Sequence, residues 1–408
     1  MPISFWDGQV TSPVGARTRA IRAALACVAA MAVTVLGPRL AAAQGVPLPP
    51  IVTDRVGRAQ IFDYHIQDKT TLVGRRDILW AAAAAGPAVP GLYSTSYMTA
   101  DRDLNKSHDL AWYQANHPDW LVYGCDGLPT SEYTGKYVSI DITNPEVREA
   151  MFQQGVVDAL VKRQYDSIGV DNLSNGNGFM QCGVRRNGAL HALYSGKRTD
   201  PAFANAMADW MAWLAPRVHA RGLALTGNLS YDGVNREGYL NIARRLDVVL
   251  DETGFERHCR PLETDAKWLD RINLFRQVAK ERALVQMEEV CPTLAQITPA
   301  TIDWSLANYL FVKGPRTYLA LLPEQNKGGI LYDFPELYLK IGRPMGDMQE
   351  RAGVYIRRFE HALALLNPSS TGPGRFDVGQ EGWRDRIDGR VMSGTIFLPP
   401  ASAMVLIK

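Results

Sequence analysis

Short apolar runs recur along this chain, each ending in polar or acidic residues and most followed by a helical stretch. The first is AQIFDYHIQ, Ala59 to Gln67, which alternates like a strand and carries Asp63 and His65 near its end. An Ala-rich stretch, Arg75 to Ala85, reads as helix, and GLYSTSYM, Gly91 to Met98, as the second strand. YVSIDI, Tyr137 to Ile142, reads as the third and ends near Asp141. Asn144-Pro145-Glu146 then supplies a cap, a first-turn proline and a dipole-complementing acid, so a helix is expected to about Gln164. It leads to Ile168-Gly169-Val170, which passes directly into Asp171, Asn172 and a Ser/Asn/Gly loop.

Four more units follow. Helix 201–221 leads to LALTGNLS, Leu223 to Ser230, and helix 236–245 to DVVLDETGFE, Asp247 to Glu256. Helix 264–281 leads to ALVQMEEV, Ala283 to Val290. Helix 299–311 leads to RTYLALL, Arg316 to Leu322, and a last helix is expected over 334–341. Eight strand-then-helix units in series make a closed parallel (β/α)8 TIM barrel the economical topology, placed here at residues 58–341. From Gly342 the pattern changes to short strands at 354–359, 362–366, 390–397 and 403–407, separated by Pro, Gly and Asn turns. This reads as a small antiparallel β domain, sandwich-like, over 342–408.

The N-terminus is different in kind. Arg17, Arg19 and Arg22 precede an apolar run from Ala23 to Leu36, and Ala41-Ala42-Ala43 follows. That is the layout of a cleaved signal peptide over 1–43, with a run too short to span a bilayer, which takes about 20 residues. Residues 44–57 read as a Pro-rich linker. A periplasmic or secreted protein without stable membrane insertion after cleavage is expected. Without residues 1–43, 40 basic and 41 acidic residues remain, and nothing suggests a nucleic-acid footprint, which would need a clustered basic face. Cys125, Cys182, Cys259 and Cys291 also remain, an even number suited to an oxidising compartment. Each follows an expected barrel strand, so loops of neighbouring strands are the natural partners: Cys125 with Cys182, and Cys259 with Cys291.

A barrel presents catalytic groups at the C-terminal ends of its strands, and cleaving a glycosidic bond takes two carboxyl groups from different strands. The candidates are Asp63, Asp141, Asp171, Asp251, Glu252, Glu288 and Glu289. Asp171 ranks first, because a short buried strand opens there into a polar loop. Glu252 ranks second. It adjoins Asp251, and successive strand residues face opposite sides, so only one of the two can face the mouth. Glu288 and Glu289 are the alternative catalytic pair partners. Asp63, His65, Asn172, Asn228 and Tyr231 are candidates to bind sugar hydroxyls. Tyr97, Trp112, Trp120 and Tyr123 are candidates for a stacking platform. Other chemistries lack their residues: there is no G-x-S-x-G, no H-x-x-x-H and no H-E-x-x-H. Gly176-Asn177-Gly178 lacks the third glycine of a dinucleotide fingerprint, with Gln181 in its place.

HPDWLVYG, VSIDITNPEVREAM and SIGVDNL, in that order, resemble glycoside hydrolases among bacterial exported proteins. IGRPMG, GVYIRRFEHALALLNPS and LPPASAMVLIK resemble the small β domain that follows their catalytic barrel. Similarity to barrel glycosidases of the α-galactosidase-like group implies a nucleophile on the fourth strand and an acid on the sixth, here Asp171 and Glu252. The expectation is therefore an exported two-carboxylate glycoside hydrolase, retaining, acting on a polysaccharide or oligosaccharide with no metal and no organic cofactor. A non-catalytic carbohydrate-binding barrel and a transglycosylase on the same site are the alternatives.

Overall fold

The structure, a computed structural model, describes residues 45–61, 68–80, 89–103, 105, 107–132, 137–157, 165–231, 233–326 and 330–408. The expected signal segment, and Asp63 and His65, lie outside the described residues.

Eight short strands pair parallel in sequence order. They are β1 (Ala59–Gln60), β2 (Ile78–Leu79), β3 (Tyr93–Ser94), β4 (Ser167–Leu173), β5 (Ala224–Leu229), β6 (Val248–Asp251), β7 (Ala283–Glu289) and β8 (Thr317–Leu322). Ladders join β1 to β2 to β3 and β4 through to β8. Single parallel bridges, Thr95 to Ser167 and Arg58 to Leu319, link β3 to β4 and β8 back toward β1. The order of pairing thus returns to its start.

Four expectations need correction. Arg75 to Ala85 does not begin as helix, since Ile78–Leu79 is a strand between β1 and β3. Tyr137 to Ile142 is not a member of the parallel ring. Tyr137–Val138 pairs antiparallel with Ser131–Glu132, and Ile140 bridges Leu121, so this segment lies outside the parallel ring, next to Asp101 and Arg102. Cys125 likewise follows Val122–Gly124, a strand of a separate antiparallel sheet with Gln181–Arg186 and Ala189–Ala192. The expected helix at 334–341 is one 3₁₀ turn, Pro335–Tyr338.

The helices form where capping signals stood. They are α1 (Leu110–Asn116), α2 (Pro145–Phe152), α3 (Pro201–His219), α4 (Arg236–Ala243), α5 (Asp265–Glu281) and α6 (Pro299–Val312). Asn144 accepts from Glu146 N at 2.9 Å and Asp200 from Ala202 N at 2.8 Å, each with proline at the first helical position. In α6 every residue from Ile302 to Val312 is buried, because it is covered on both sides. The ring lies on one side and an antiparallel sheet on the other.

That sheet contains β9 (Gln349–Arg351), β10 (Val354–Arg358), β11 (Ala362–Asn367), β13 (Arg384–Asp385) and β15 (Ser402–Ile407), in the order 9-10-11-15-13. A separate hairpin pairs β12 (Gly374–Asp377) with β14 (Thr395–Leu398). Period-two alternation sorts β11: Ala362, Ala364 and Leu366 join the cluster around α6, while Leu363 and Leu365 join Trp383, Ile396 and Leu398 in a second core. The Arg386 guanidinium, its side chain 8% exposed, donates to Asp303 of α6 at 2.9 Å, tying sheet to helix.

Gly169 shows how tightly the ring is filled. A Cβ built there would lie 2.5 Å from the Ser96 carbonyl oxygen and 2.9 Å from the Trp80 ring. Trp80 belongs to the interior cluster, so the missing side chain makes room for an indole. Gly169→Ala is expected to cost about 1–3 kcal/mol by overpacking, read as a lowered melting temperature. An unchanged melt would refute this account of the interior.

Candidate active site

Side-chain parity decides which strand-end residues meet. Tyr93, Ala224, Val248, Leu250, Ala283, Val285, Met287, Tyr318 and Ala320 form one cluster inside the ring. Their neighbours Ile168, Val170, Leu225, Leu229, Val249 and Leu284 belong to the cluster between strands and helices. Counting in twos toward the C-terminal ends puts Tyr97, Asp171, Asn228, Glu252 and Glu289 on the interior parity. Asp251 and Glu288 fall on the outer one. The register between β4 and β5 shifts after Gly227, where Asn172 takes a left-handed φ of 60°. Asn tolerates that conformation, and an irregularity there re-aims the side chains beside it.

Three interior groups are joined directly. Tyr97 OH donates to Asp171 Oδ2 at 2.7 Å. Asn228 Nδ2 donates to Asp171 Oδ1 at 2.7 Å and to Glu252 Oε2 at 2.6 Å. The two carboxyl oxygens therefore lie no further apart than those bonds laid end to end, 5.3 Å. Asp171 is 8% exposed, whereas Glu252 is half-buried at the wetter edge. Burial, then the negative charge of Glu252, pushes the Asp171 carboxyl above the usual range, against the pull of the Tyr97 and Asn228 donors. The Asn228 Oδ1 atom is buried with no hydrogen-bond partner among the described residues.

The outward carboxylates hold backbone. Asp251 accepts from Tyr231 N at 3.0 Å, Thr253 N at 3.0 Å and Gly254 N at 2.7 Å, folding the turn that carries Glu252. Glu288 accepts from Phe255 N at 2.9 Å, Glu256 N at 3.0 Å and Gln286 Nε2 at 2.6 Å. Cys259 and Cys291 stand with Cα atoms 4.5 Å apart and close the same loop, and Cys125 and Cys182 pair at 5.1 Å. Both pairings are those expected.

Residues 92–363 match the profile of Hypothetical glycosyl hydrolase family 15. The chain belongs to that family. No curated protein matches it. Among solved structures, isomaltulose synthase from Klebsiella sp. LX3 is similar, with 10% identity over 86% of this chain and 98% of that one and a TM-score of 0.52. The noncanonic maltogenic α-amylase from Thermotoga neapolitana gives 11% identity, 87% and 98% coverage and a TM-score of 0.41. The glycoside hydrolase domain of PelA from Pseudomonas aeruginosa gives 15%, 67% and 98%, and 0.43. The first of these likenesses supports a shared fold.

In this family member the remaining candidates fall elsewhere. Asn172 accepts from Arg102 Nη2 at 2.7 Å. Tyr231 is buried on the helix side, its ring against Tyr239 and its hydroxyl 3.4 Å from Asp270, so it is not brought to the mouth. Asp141 caps its own turn, accepting from Thr143 N at 2.8 Å. Trp112 stacks on His108 at 3.6 Å and Trp120 on His117 at 4.0 Å, while Tyr123 lies under Arg185. Asp101 and Arg102 escaped the sequence reading. Asp101 is 4% exposed and pushed up to about 6 by burial, which the Arg102 charge opposes, and it feels the charge of Asp171. The signal was Thr99-Ala100-Asp101-Arg102, polar residues directly after a strand taken to end at Met98.

Proposed function

We propose that this protein is an exported glycoside hydrolase that cleaves a polysaccharide or oligosaccharide with retention of configuration. Asp171 is the nucleophile and Glu252 the acid/base. The observation that carries this reading is the single Asn228 amide donating to both carboxylates. Nearest oxygens held within 5.3 Å favour the about 5–5.5 Å carboxyl spacing of retaining enzymes over the about 6.5–9.5 Å of inverting ones. Asp171, deep and fixed by two donors, attacks the anomeric carbon as the glycosidic C–O bond breaks. Glu252, nearer solvent, gives its proton to the departing oxygen, then takes one from the water that releases the sugar.

Residues 58–341 fit a (β/α)8 barrel and 342–408 a β domain packed on it. Two cysteine pairs suit an oxidising compartment, in keeping with a signal at 1–43. Among the described residues no helix is long and apolar enough to cross a membrane.

The test is to screen the purified protein against bacterial polysaccharides and oligosaccharides, following the anomeric protons of the product by NMR. The first-formed product is expected to keep the substrate's configuration. Glu252→Ala is expected to lose about 10²–10⁴-fold on unactivated linkages and to recover with azide on an activated aryl glycoside, giving a retained glycosyl azide. An inverted first product would sink the role assignment.

A further inference from the structure

At the opposite end of the ring from Asp171 lies a second basin, of about 340 Å³. It opens between α5, the C-terminal end of α6 and the segment Pro344–Asp347. Four cationic side chains line it, Arg276, Lys280, Lys313 and Arg357, against one carboxylate, Asp347. That acid is 71% exposed and pairs outward with Arg276 at 3.0 Å. Asp347 still acts on Arg357, and the exposed Asp54 on Lys313, but both acids lie at the surface while the two deepest charges are Lys313 at 3% and Arg357 at 8% exposure.

Backbone carbonyls account for part of their hydrogen bonding. Lys313 Nζ donates to the carbonyls of Val52 and Gly314, and Arg357 Nη1 to those of Leu310 and Phe311 at 2.7 and 3.0 Å. The negative end of the α6 dipole adds a partial charge. A carbonyl dipole is not a counter-ion, though, and a buried cation without one is costly. The nearby Asp77 is already engaged by Arg55 at 2.7 and 2.8 Å and by Arg58. Burial presses both groups toward their neutral forms, Lys313 to about 7 and Arg357 to about 10. Arg357 and Arg55 add to it at Lys313 and Arg276 at Arg357, while Asp77 and Asp54 oppose it at Lys313 and Asp347 at Arg357. Arg357 Nε reaches the Gly346 carbonyl at 3.4 Å, and Arg276 and Lys280 stand at the rim.

We propose that this basin binds a multivalent oxyanion, a phosphate or sulfate group, which offsets the excess of cations between the ring and the C-terminal sheet. Its position away from Asp171 makes it a site separate from the carboxylate pair, whatever that pair does. Arg357 and Lys313 meet the anion from within, Arg276 and Lys280 from the rim. The group comes either from free inorganic anion or from a sulfated or phosphorylated glycan.

The test uses the full mature chain. Inorganic phosphate and inorganic sulfate, each against sodium chloride at matched ionic strength, are titrated by calorimetry and by thermal melting. One site per chain is expected, with a melting temperature raised by roughly 5 °C near saturation and no rise in chloride. Arg276→Ala/Lys280→Ala alters only rim residues and is expected to melt like the parent without anion, while losing at least about tenfold in affinity. A sulfated oligosaccharide that binds more than about tenfold tighter than sulfate, and competes with it, identifies the glycan as the source. Equal affinity identifies the free ion. An equal rise in chloride, or undiminished binding by the double variant, overturns the site.

Discussion

Asp171→Asn is expected to abolish turnover and leave the fold at least as heat-stable as the parent. The carboxylate it removes is one the ring disfavours, since burial and the charge of Glu252 both raise its pKa. The amide can reuse both contacts. Its oxygen accepts from Asn228 Nδ2, and its nitrogen donates to the Tyr97 oxygen, whose hydroxyl rotates to accept. Between the ordinary carboxylate value and the raised one, the folded parent holds a proton that the unfolded chain has released. The parent therefore loses stability as pH rises through that window, and the Asn variant lacks this slope. An amide cannot form the glycosyl ester, so kcat/KM is expected to fall at least about 10⁴-fold, about 5 kcal/mol of transition-state stabilisation. Residual activity above about one per cent, free of contaminating enzyme, would remove Asp171 from the nucleophile's place.

Much of the site was readable because an apolar run buried on both faces must end where the ring ends. Ile168-Gly169-Val170 runs into Asp171, and Val248-Val249-Leu250 into Asp251-Glu252, so the polar residues there had to lie at the mouth. Choosing between neighbours took a fixed parity. Val248 and Leu250 face inward, which sends Glu252 in and Asp251 out, and Met287 does the same for Glu289 over Glu288. The ring itself was less legible. Ile78–Leu79 is only two residues long and adjoins a run of alanines, whose helix propensity hides it. YVSIDI alternates as a half-buried strand does, and alternation says nothing about which sheet supplies the partner. One strand was missed and one added upstream of Asp171, so its place as fourth survived two cancelling errors. Asp101 and Arg102 were lost because β3 is interrupted after Thr95 and resumes at Met98–Thr99 against Val170 and Asp171.

Glu288 offers the second large effect, on stability instead of chemistry. Glu288→Ala strands three donors, Phe255 N, Glu256 N and Gln286 Nε2, in a place without solvent. With about 1–3 kcal/mol for each buried group left unpaired, a loss of roughly 3–6 kcal/mol is expected. The loop released is the one that follows Glu252, so kcat falls as well. Glu288→Gln separates shape from charge. Its oxygen can accept from both backbone N–H groups, and a half-turn of the Gln286 amide presents the Oε1 atom, now without a partner, to the new amide. Burial pushes Glu288 up to about 8 and its neighbour Glu256 up to about 9. Each folded-state value lies above that of the unfolded chain, so the folded protein holds protons that the unfolded one gives up above about 4.5. The stabilisation is complete below that pH. It declines by about 1.4 kcal/mol per pH unit and per proton as pH rises, and is gone once the folded groups ionise near 8 to 9. Because the two acids feel each other's charge, they titrate as a pair. Melting temperatures of parent, Gln and Ala variants from pH 5 to pH 9 distinguish the possibilities. The Gln variant is expected to match the parent at pH 5, exceed it at pH 9 and keep its kcat. A parent curve that climbs over that range, or a Gln variant as unstable as Ala, would mean that Glu288 is held as an anion and that its charge supports the Glu252 loop.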